Sequence, residues 1–342
     1  MASQPVRTDL VIIGAGPVGL FAVFEAGLLG MSCHLVDNLD KIGGQCAELY
    51  PEKPIYDIPA VPVCTGQELI DRLTRQIEPF EPQFHLRQQA EKLEPREEGG
   101  WRVTTSAGTV FEAPAVVIAA GAGSFVPRRM PLPEAAAFED RSLFYVVRRR
   151  EDFRGRDILV AGGGDSALDW LLELEPLAGD LAIVHRRDEF RASPDSVARM
   201  RSLIEAGRIT LHIGQIVGLE GTDGRLEAVR IRNPEGEIRH PCDTVLAFYG
   251  LKMELGPIAE WGLDLDRNHI RVDTAAFETN LPGVFAIGDI CTYPGKLKLI
   301  LSGFHEAALM SRKAFTYCFP DKRLVFRHTT SSTDLQKKLG VA

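Results

Sequence analysis

Asp9-Leu10-Val11-Ile12-Ile13-Gly14-Ala15-Gly16-Pro17-Val18-Gly19-Leu20 is the stretch that decides the fold. A β-branched run, Asp9–Ile13, ends at a G-x-G-x-x-G. A helical stretch then runs to about Gly30, and a second apolar run, Ser32–Val36, closes with Asp37. The order is strand, turn, helix, strand. In such a turn Gly14 makes the sharp reversal, Gly16 lets the backbone approach a diphosphate, and Gly19 permits close helix–strand packing. Pro17 falls where the first helical turn begins, a position whose N–H has no intrahelical partner. The helix N-terminus offers N–H groups and positive dipole to the diphosphate. Asp37 is placed to accept hydrogen bonds from an adenosine ribose.

The same grammar returns about 148 residues later as Gly162-Gly163-Gly164-Asp165-Ser166-Ala167. It follows a strand, Ile158–Ala161, and opens a helix to about Glu175, with Leu181–Val184 as the next strand. Ala167 replaces the third glycine, which the pattern tolerates. Gly162, Gly164, Asp165 and Ser166 are the candidate nucleotide contacts. Where an NAD site would carry an acid, this chain has His185-Arg186-Arg187, with Arg191 four residues on. A guanidinium grips a 2′-phosphate bidentately, so Arg186, Arg187 and Arg191 predict NADPH over NADH; a solvated mixed-charge loop is the bland counterpart. Two fingerprints imply two dinucleotides, as in a flavoprotein that binds FAD and takes hydride from NADPH.

Composition agrees with a soluble α/β protein. The 342 residues are 45% hydrophobic and 25% charged, which excludes a disordered chain, a coiled coil, collagen and a small disulfide scaffold. A net charge of −8 provides no basic field for nucleic acid or anionic lipid. The six cysteines form no Cys-x-x-Cys and have no zinc-ligand spacing, so no metal is expected and the thiols read as reduced, mostly buried groups. The N-terminus lacks the basic-then-apolar order of a signal peptide. Leu10–Phe24 is uncharged, but its glycine cluster and Glu25 argue for strand–turn–helix, not a membrane span. A cytoplasmic location and no membrane contact are the expectation.

Elsewhere Asp40–Thr65 is turn-rich and Gln67–Gln76 reads as helix. Leu86–Ala120 and Ile209–Val245 read as strands, with turns at Gly221–Gly224 and Asn233–Gly236. A helix is expected from about Lys298 to Phe315. No G-x-S-x-G, H-E-x-x-H or Walker lysine loop is present.

A third motif, Thr279-Asn280-Leu281-Pro282-Gly283-Val284-Phe285-Ala286-Ile287-Gly288-Asp289, resembles the second FAD motif of two-dinucleotide flavoprotein reductases. The resemblance puts Asp289 on the ribityl chain and aims the next helix at the flavin N1–C2=O edge. The order of the three motifs is similar to that of the thioredoxin-reductase group over nearly the whole chain. Those enzymes carry a redox Cys-x-x-Cys shortly before the NADPH fingerprint; here the slot reads Tyr145-Val146-Val147-Arg148, and the dithiol is absent.

What remains resembles the thioredoxin-reductase-like ferredoxin–NADP+ reductases of bacteria. The marks are Ile42-Gly43-Gly44-Gln45, Leu49-Tyr50-Pro51-Glu52-Lys53, Ile55-Tyr56-Asp57, Gly162–Trp170 and His328-Thr329-Thr330-Ser331. The resemblance implies an α/β fold of two Rossmann-like domains. The NADPH domain (122–249) is inserted in the FAD domain (1–121 and 250–342, with a C-terminal extension from about 318), through linkers near Gly121–Pro127 and Leu246–Gly250. It further implies FAD contacts at Gln45, Tyr50 and Thr330. Tyr50 would stack on one flavin face and His328 on the other, across a homodimer, shielding the ring. Hydride passes between NADPH and FAD, single electrons between FAD and ferredoxin or flavodoxin, and no side chain is required as general acid or base.

Arg128-Arg129, Arg148-Arg149-Arg150 and Arg154 are candidates for a docking face toward an acidic carrier. Residues 122–249 hold 18 Arg, no Lys and 21 acidic residues, so that segment is not basic overall. Two other readings stay open: an NADPH-dependent disulfide reductase using a non-adjacent pair such as Cys46 and Cys64, and a non-enzymatic FAD/NADPH sensor.

Overall fold

The computed structural model describes residues 4–121, 123–325 and 333–338. The chain divides into two compact units, residues 1–48, 54–124 and 253–342 in the first and 49–53 with 125–252 in the second. The first contains five parallel strands in the order Val284–Ala286, Ala115–Ile118, Leu10–Ile13, Cys33–Val36, Gln83–His85. Leu10, Val11, Ile12 and the whole run Ala115–Ile118 are inaccessible to solvent. Parallel strands covered on both faces need apolar side chains on both, which explains continuous rather than alternating apolar runs.

The Pro17–Leu28 helix lies so close to the Ile300–Cys318 helix that a methyl on Gly303 would overlap the Val18 side chain. A second, four-stranded sheet joins Val6–Arg7, Val110–Ala113, Trp101–Thr105 and Ala90–Pro95. The short Thr333–Lys338 helix returns to this unit, with Leu335 buried and Lys338 Nζ 5.5 Å from the Phe80 ring centre.

The second unit repeats the plan. Its parallel strands run Leu143–Phe144, Thr244–Ala247, Ile158–Ala161, Leu181–His185, Thr210–Ile213, so in both units the fingerprint strand is central. An antiparallel meander, Gln215–Thr222, Arg225–Asn233 and Gly236–Pro241, follows. Its first reversal places Asp223 and Gly224 both at positive φ, +51° and +76°. That is the conformation an Asp-Gly pair favours between twisted antiparallel strands. The architecture is α/β with two Rossmann-like units, as the sequence predicts.

Local departures have identifiable causes. The helix expected over Gln67–Gln76 spans Gly66–Ile77, begun by a reciprocal capping box in which Thr65 Oγ1 accepts from Glu68 N–H and Glu68 accepts from Thr65 N–H. The sequence reading contains no element between Arg191 and Ile209, yet Pro194–Glu205 is helical. Ser193 caps it and Pro194 occupies its first turn. The long C-terminal helix is Ile300–Cys318, shifted from the expected Lys298–Phe315.

Close packing at the first fingerprint leads to a stability prediction. A methyl group on Gly19 would overlap the Gly14 carbonyl oxygen, which belongs to the backbone and cannot swing aside. Gly19→Ala should cost about 1–3 kcal/mol, the usual range for overpacking. Urea denaturation of the purified chain checks it; an unchanged midpoint contradicts the packing argument.

Candidate nucleotide sites

Gly14 adopts φ +108° and donates its N–H to Val36 O at 2.8 Å, closing the turn against the next strand. Gly43 N–H reaches Ala15 O at 2.8 Å. This brings a second bare surface over the turn, where a side chain on Gly44 would sit 3.0 Å from Gly16 Cα. The Pro17–Leu28 helix starts with Gly16 as N-cap, no side-chain cap and no acid in its first turn. Its leading N–H groups are therefore left without a side-chain acceptor at the positive end of the helix dipole, a cradle suited to the diphosphate of FAD.

Asp37 is buried at the end of the second strand. Its Oδ2 accepts from Ala15 N–H at 2.7 Å and its Oδ1 from Leu39 N–H at 2.9 Å. Burial pushes its carboxyl up, against the downward pull of those backbone donors. Gln45 lies in the short Gly44–Glu48 helix, its amide nitrogen 3.5 Å from where a Gly121 side chain would begin. No protein group among the described residues hydrogen-bonds to that amide.

Tyr50 belongs to the Leu49–Lys53 segment that groups with the second unit, and its half-buried ring packs on the cluster containing Trp170 and Leu171. Lys53 Nζ stands 5.7 Å from the Tyr50 ring centre and pairs with Asp169 at 2.6 Å. His328 and Thr330 lie outside the described residues.

Asp289 sits in a 3-10 turn, Gly288–Ile290, after the Val284–Ala286 strand. Its carboxylate has no hydrogen-bond partner among the described residues. Burial pushes its carboxyl above the usual carboxylate range, while Lys296 and Lys298 draw it down. A half-buried, unpartnered carboxylate fits the hydroxyl-rich ribityl chain of FAD.

Sequence reasoning missed the group that holds this turn. Glu306, on the Ile300–Cys318 helix, is fully buried. Its Oε2 accepts from Gly288 N–H at 2.6 Å, and its Oε1 accepts from Tyr293 Oη at 2.8 Å and pairs with Lys296, itself almost fully buried. Burial, and after it the Glu306 carboxylate, push the Tyr293 hydroxyl well above its ordinary range. One signal was available: Glu306 is a lone acid among Gly303, Ala307 and Met310, the apolar face of the helix.

At the second turn, a side chain on Gly162 would lie 2.9 Å from the Ala167 methyl, so that methyl fills the space beside the turn. The Asp165–Leu174 helix has Gly164 as N-cap without a side-chain cap, and nothing stands within 4 Å of where a Gly164 side chain would go. Again the N–H groups are open, which fits the NADPH diphosphate. Ser166 is exposed beside them.

The arginine loop is fastened to this turn. Arg191 N–H donates to Gly163 O at 2.7 Å, and Asp165 Oδ1 accepts from Ser193 N–H at 2.9 Å. Arg186, Arg187 and Arg191 are exposed, and their guanidinium groups make no ion pair among the described residues. His185 is pushed below its ordinary range by burial and by the neighbouring guanidinium groups, Arg186 first.

The expected docking face looks different from an open cationic patch. Arg129 pairs with Glu139 at 2.7 Å, Arg150 with Glu173 at 3.4 Å, and Arg154 grips Glu151 through two hydrogen bonds of 2.8 and 3.0 Å. In the former dithiol slot Tyr145 Oη donates to Glu139 and accepts from Met130 N–H, and Val147 is core. No cluster of three metal-ligating groups exists among the described residues, and none of their helices is long and apolar enough to cross a membrane.

Residues 8–307 match the pyridine nucleotide-disulphide oxidoreductase family. A protein of Nitrobacter hamburgensis named ferredoxin–NADP reductase is 60% identical over 340 residues, 99% of each chain. One of the same name from Parvibaculum lavamentivorans is 59% identical over the full length of both. Among solved structures, Lactococcus lactis thioredoxin reductase superposes with a TM-score of 0.78 at 23% identity, covering 92% of this chain and 99% of that one. T. acidophilum thioredoxin reductase gives 0.78 at 19% identity, over 91% and 98%. These structures share the fold.

The buried ion pair yields a further expected outcome. Glu306→Ala leaves Lys296 without its counter-charge and should destabilise the chain by about 3–5 kcal/mol. Replacing both groups, Glu306→Gln with Lys296→Met, should cost less than Glu306→Ala alone. Urea midpoints of the three proteins decide it; a double variant worse than the single one argues against a net-unfavourable lone ammonium.

Proposed function

The chain belongs to the pyridine nucleotide-disulphide oxidoreductase family, and from that premise we propose that it is a ferredoxin–NADP+ reductase. It is an oxidoreductase of FAD and NADPH. The observation that carries the ferredoxin reading is identity of about 60% over essentially the whole length to proteins of that name. FAD and NADPH supply the redox chemistry, a hydride exchanged with the nicotinamide and single electrons exchanged with the carrier.

The protein's part is binding, orientation and electrostatics. Gly14, Gly16, Pro17 and Gly19 hold the FAD diphosphate against the open helix N-terminus, Asp37 takes the adenosine ribose and Asp289 the ribityl hydroxyls. Gln45 and Thr330 complete the FAD contacts, and the rings of Tyr50 and His328 cover the two flavin faces and exclude water. Gly162, Gly164 and Ser166 seat the NADPH diphosphate. Arg186, Arg187 and Arg191 take its 2′-phosphate, because they are the guanidinium groups beside that turn left without acidic partners. In the reading proposed here the FAD domain is residues 1–121 with 250–342 and the NADPH domain 122–249. The carrier is ferredoxin or flavodoxin, and the enzyme is a cytoplasmic homodimer.

Five of the six thiols weigh against a disulfide reductase. Burial raises Cys33 and Cys64 above the ordinary range and pushes Cys242, Cys291 and Cys318 up to about 12. Reactive cysteines have the opposite shift, because the thiolate is the nucleophile.

NADPH-driven cytochrome c reduction, with and without added ferredoxin, tests the proposal. Ferredoxin should accelerate it strongly. Rapid flavin reduction without acceleration would assign a different acceptor, and only slow reduction of bound flavin would favour a sensor. A variant with all six cysteines replaced by Ala should keep ferredoxin-dependent turnover within about twofold, because no thiol carries electrons. Arg187→Ala should lower kcat/KM for NADPH by roughly 10- to 100-fold, the loss of one charge-assisted contact, and leave that for NADH nearly unchanged.

A further inference from the structure

We propose that Asp165 is a positioning residue for NADPH selectivity, holding the Arg186–Ser193 loop in the conformation that presents three guanidinium groups to the 2′-phosphate. The inference rests on the NADPH reading above and deepens it. An acid in the first turn of a phosphate-binding helix is electrostatically adverse to the ligand, although it suits the helix dipole. Its placement is explained by what it holds. Asp165 Oδ1 accepts from Ser193 N–H at 2.9 Å, across 28 residues of sequence.

Ser193 is itself the N-cap of the Pro194–Glu205 helix, its Oγ accepting from Ser196 N–H at 3.3 Å. Two residues earlier Gly164 and Arg191 form an isolated parallel bridge, with Arg191 N–H on Gly163 O. The two clasps fix the chain on both sides of Ala192. At the tip of the loop Asp188 pairs with Arg201. The Arg201 guanidinium also lies 5.6 Å from the Phe190 ring centre, and Phe190 rests 5.2 Å from His185. Asp188 and Phe190 thus brace the loop, while Arg186, Arg187 and Arg191 stay unpaired.

Rigidity here has a direct consequence for affinity. A loop already ordered gives up little backbone entropy when the phosphate arrives, so more of the contact energy appears as binding. Releasing one clasp returns freedom to one or two residues, which must then be ordered by the ligand, a penalty on the order of tenfold in affinity. That penalty falls on the 2′-phosphate, the part of the nucleotide that the proposal assigns to Arg186, Arg187 and Arg191.

The test is calorimetric binding of 2′,5′-ADP and 5′-AMP to the FAD-loaded full-length chain, wild type against Asp165→Ala and Asp165→Asn. Asp165 is exposed, so the variants keep the helix core of Ala167, Leu168 and Leu171. Asp165→Ala should weaken 2′,5′-ADP by about tenfold and 5′-AMP by less than twofold. Asp165→Asn should recover most of the difference, because its amide oxygen still accepts from Ser193 N–H. An unchanged ratio in the Ala variant, equal weakening of both nucleotides, tighter binding of both, or an Asn variant no better than Ala each overturns the proposal. If the wild-type chain fails to prefer 2′,5′-ADP over 5′-AMP, the NADPH reading itself falls, and the clamp with it.

Discussion

Both candidate nucleotide sites depend on the same omission, a helix N-terminus with no side chain to cap it. The first N–H groups of a helix have no partner within it, and most helices satisfy them with Ser, Thr, Asp or Asn. The chain knows that solution: Thr65 and Ser193 cap the Gly66–Ile77 and Pro194–Glu205 helices. At Gly16 and Gly164 it forgoes the cap, and the adjoining glycines keep side-chain atoms out of the approach. The remaining architecture serves to hold these two open ends still. Buried parallel strands end at each turn, and neighbouring carbonyls close on Gly14 from Val36 and on Gly162 from Val184.

The two units use one topology and diverge in what surrounds the turn. After the second strand of the first unit stands Asp37, locked by two backbone N–H groups. The same place in the second unit carries Arg186 and Arg187, free of acidic partners. A carboxylate there matches a ribose diol and repels a phosphate; a guanidinium does the reverse. In the proposed reading, selectivity between the cofactors lies in a few side chains at the strand ends, while the sheet order is indifferent to it.

Much of this was legible in the sequence because it is encoded locally. The Ile158–Ala161 strand has the predicted bounds, since an uninterrupted apolar run ended by three glycines admits few other readings. The Gly14–Gly19 turn could be assigned residue by residue for the same reason. Interactions closed over long sequence separations were invisible. Glu306 and Gly288 meet across 18 residues and Asp165 and Ser193 across 28, and neither pairing leaves a periodic trace. Asp165 was legible as part of a fingerprint, but its partner was not. The arginine run 148–150 shows the same limit, because the acid that pairs with Arg150, Glu173, lies at a distance in the sequence.

Charge allocation ties the site to the chemistry. The second unit pairs many of its arginines with carboxylates: the meander alone pairs Arg230 and Arg232 with Glu237, and Arg239 with Glu220. Exposed pairs of this kind add little stability. Their effect is to cancel cationic surface, so that the guanidinium groups left open beside the second turn stand out to an anionic ligand. The thiols follow a parallel pattern. Burial raises five of them, Cys33, Cys64, Cys242, Cys291 and Cys318, the opposite of the shift that activates a thiolate. A chain arranged in this way leaves the redox chemistry to FAD and NADPH, and in the proposed reading its own side chains set position and selectivity.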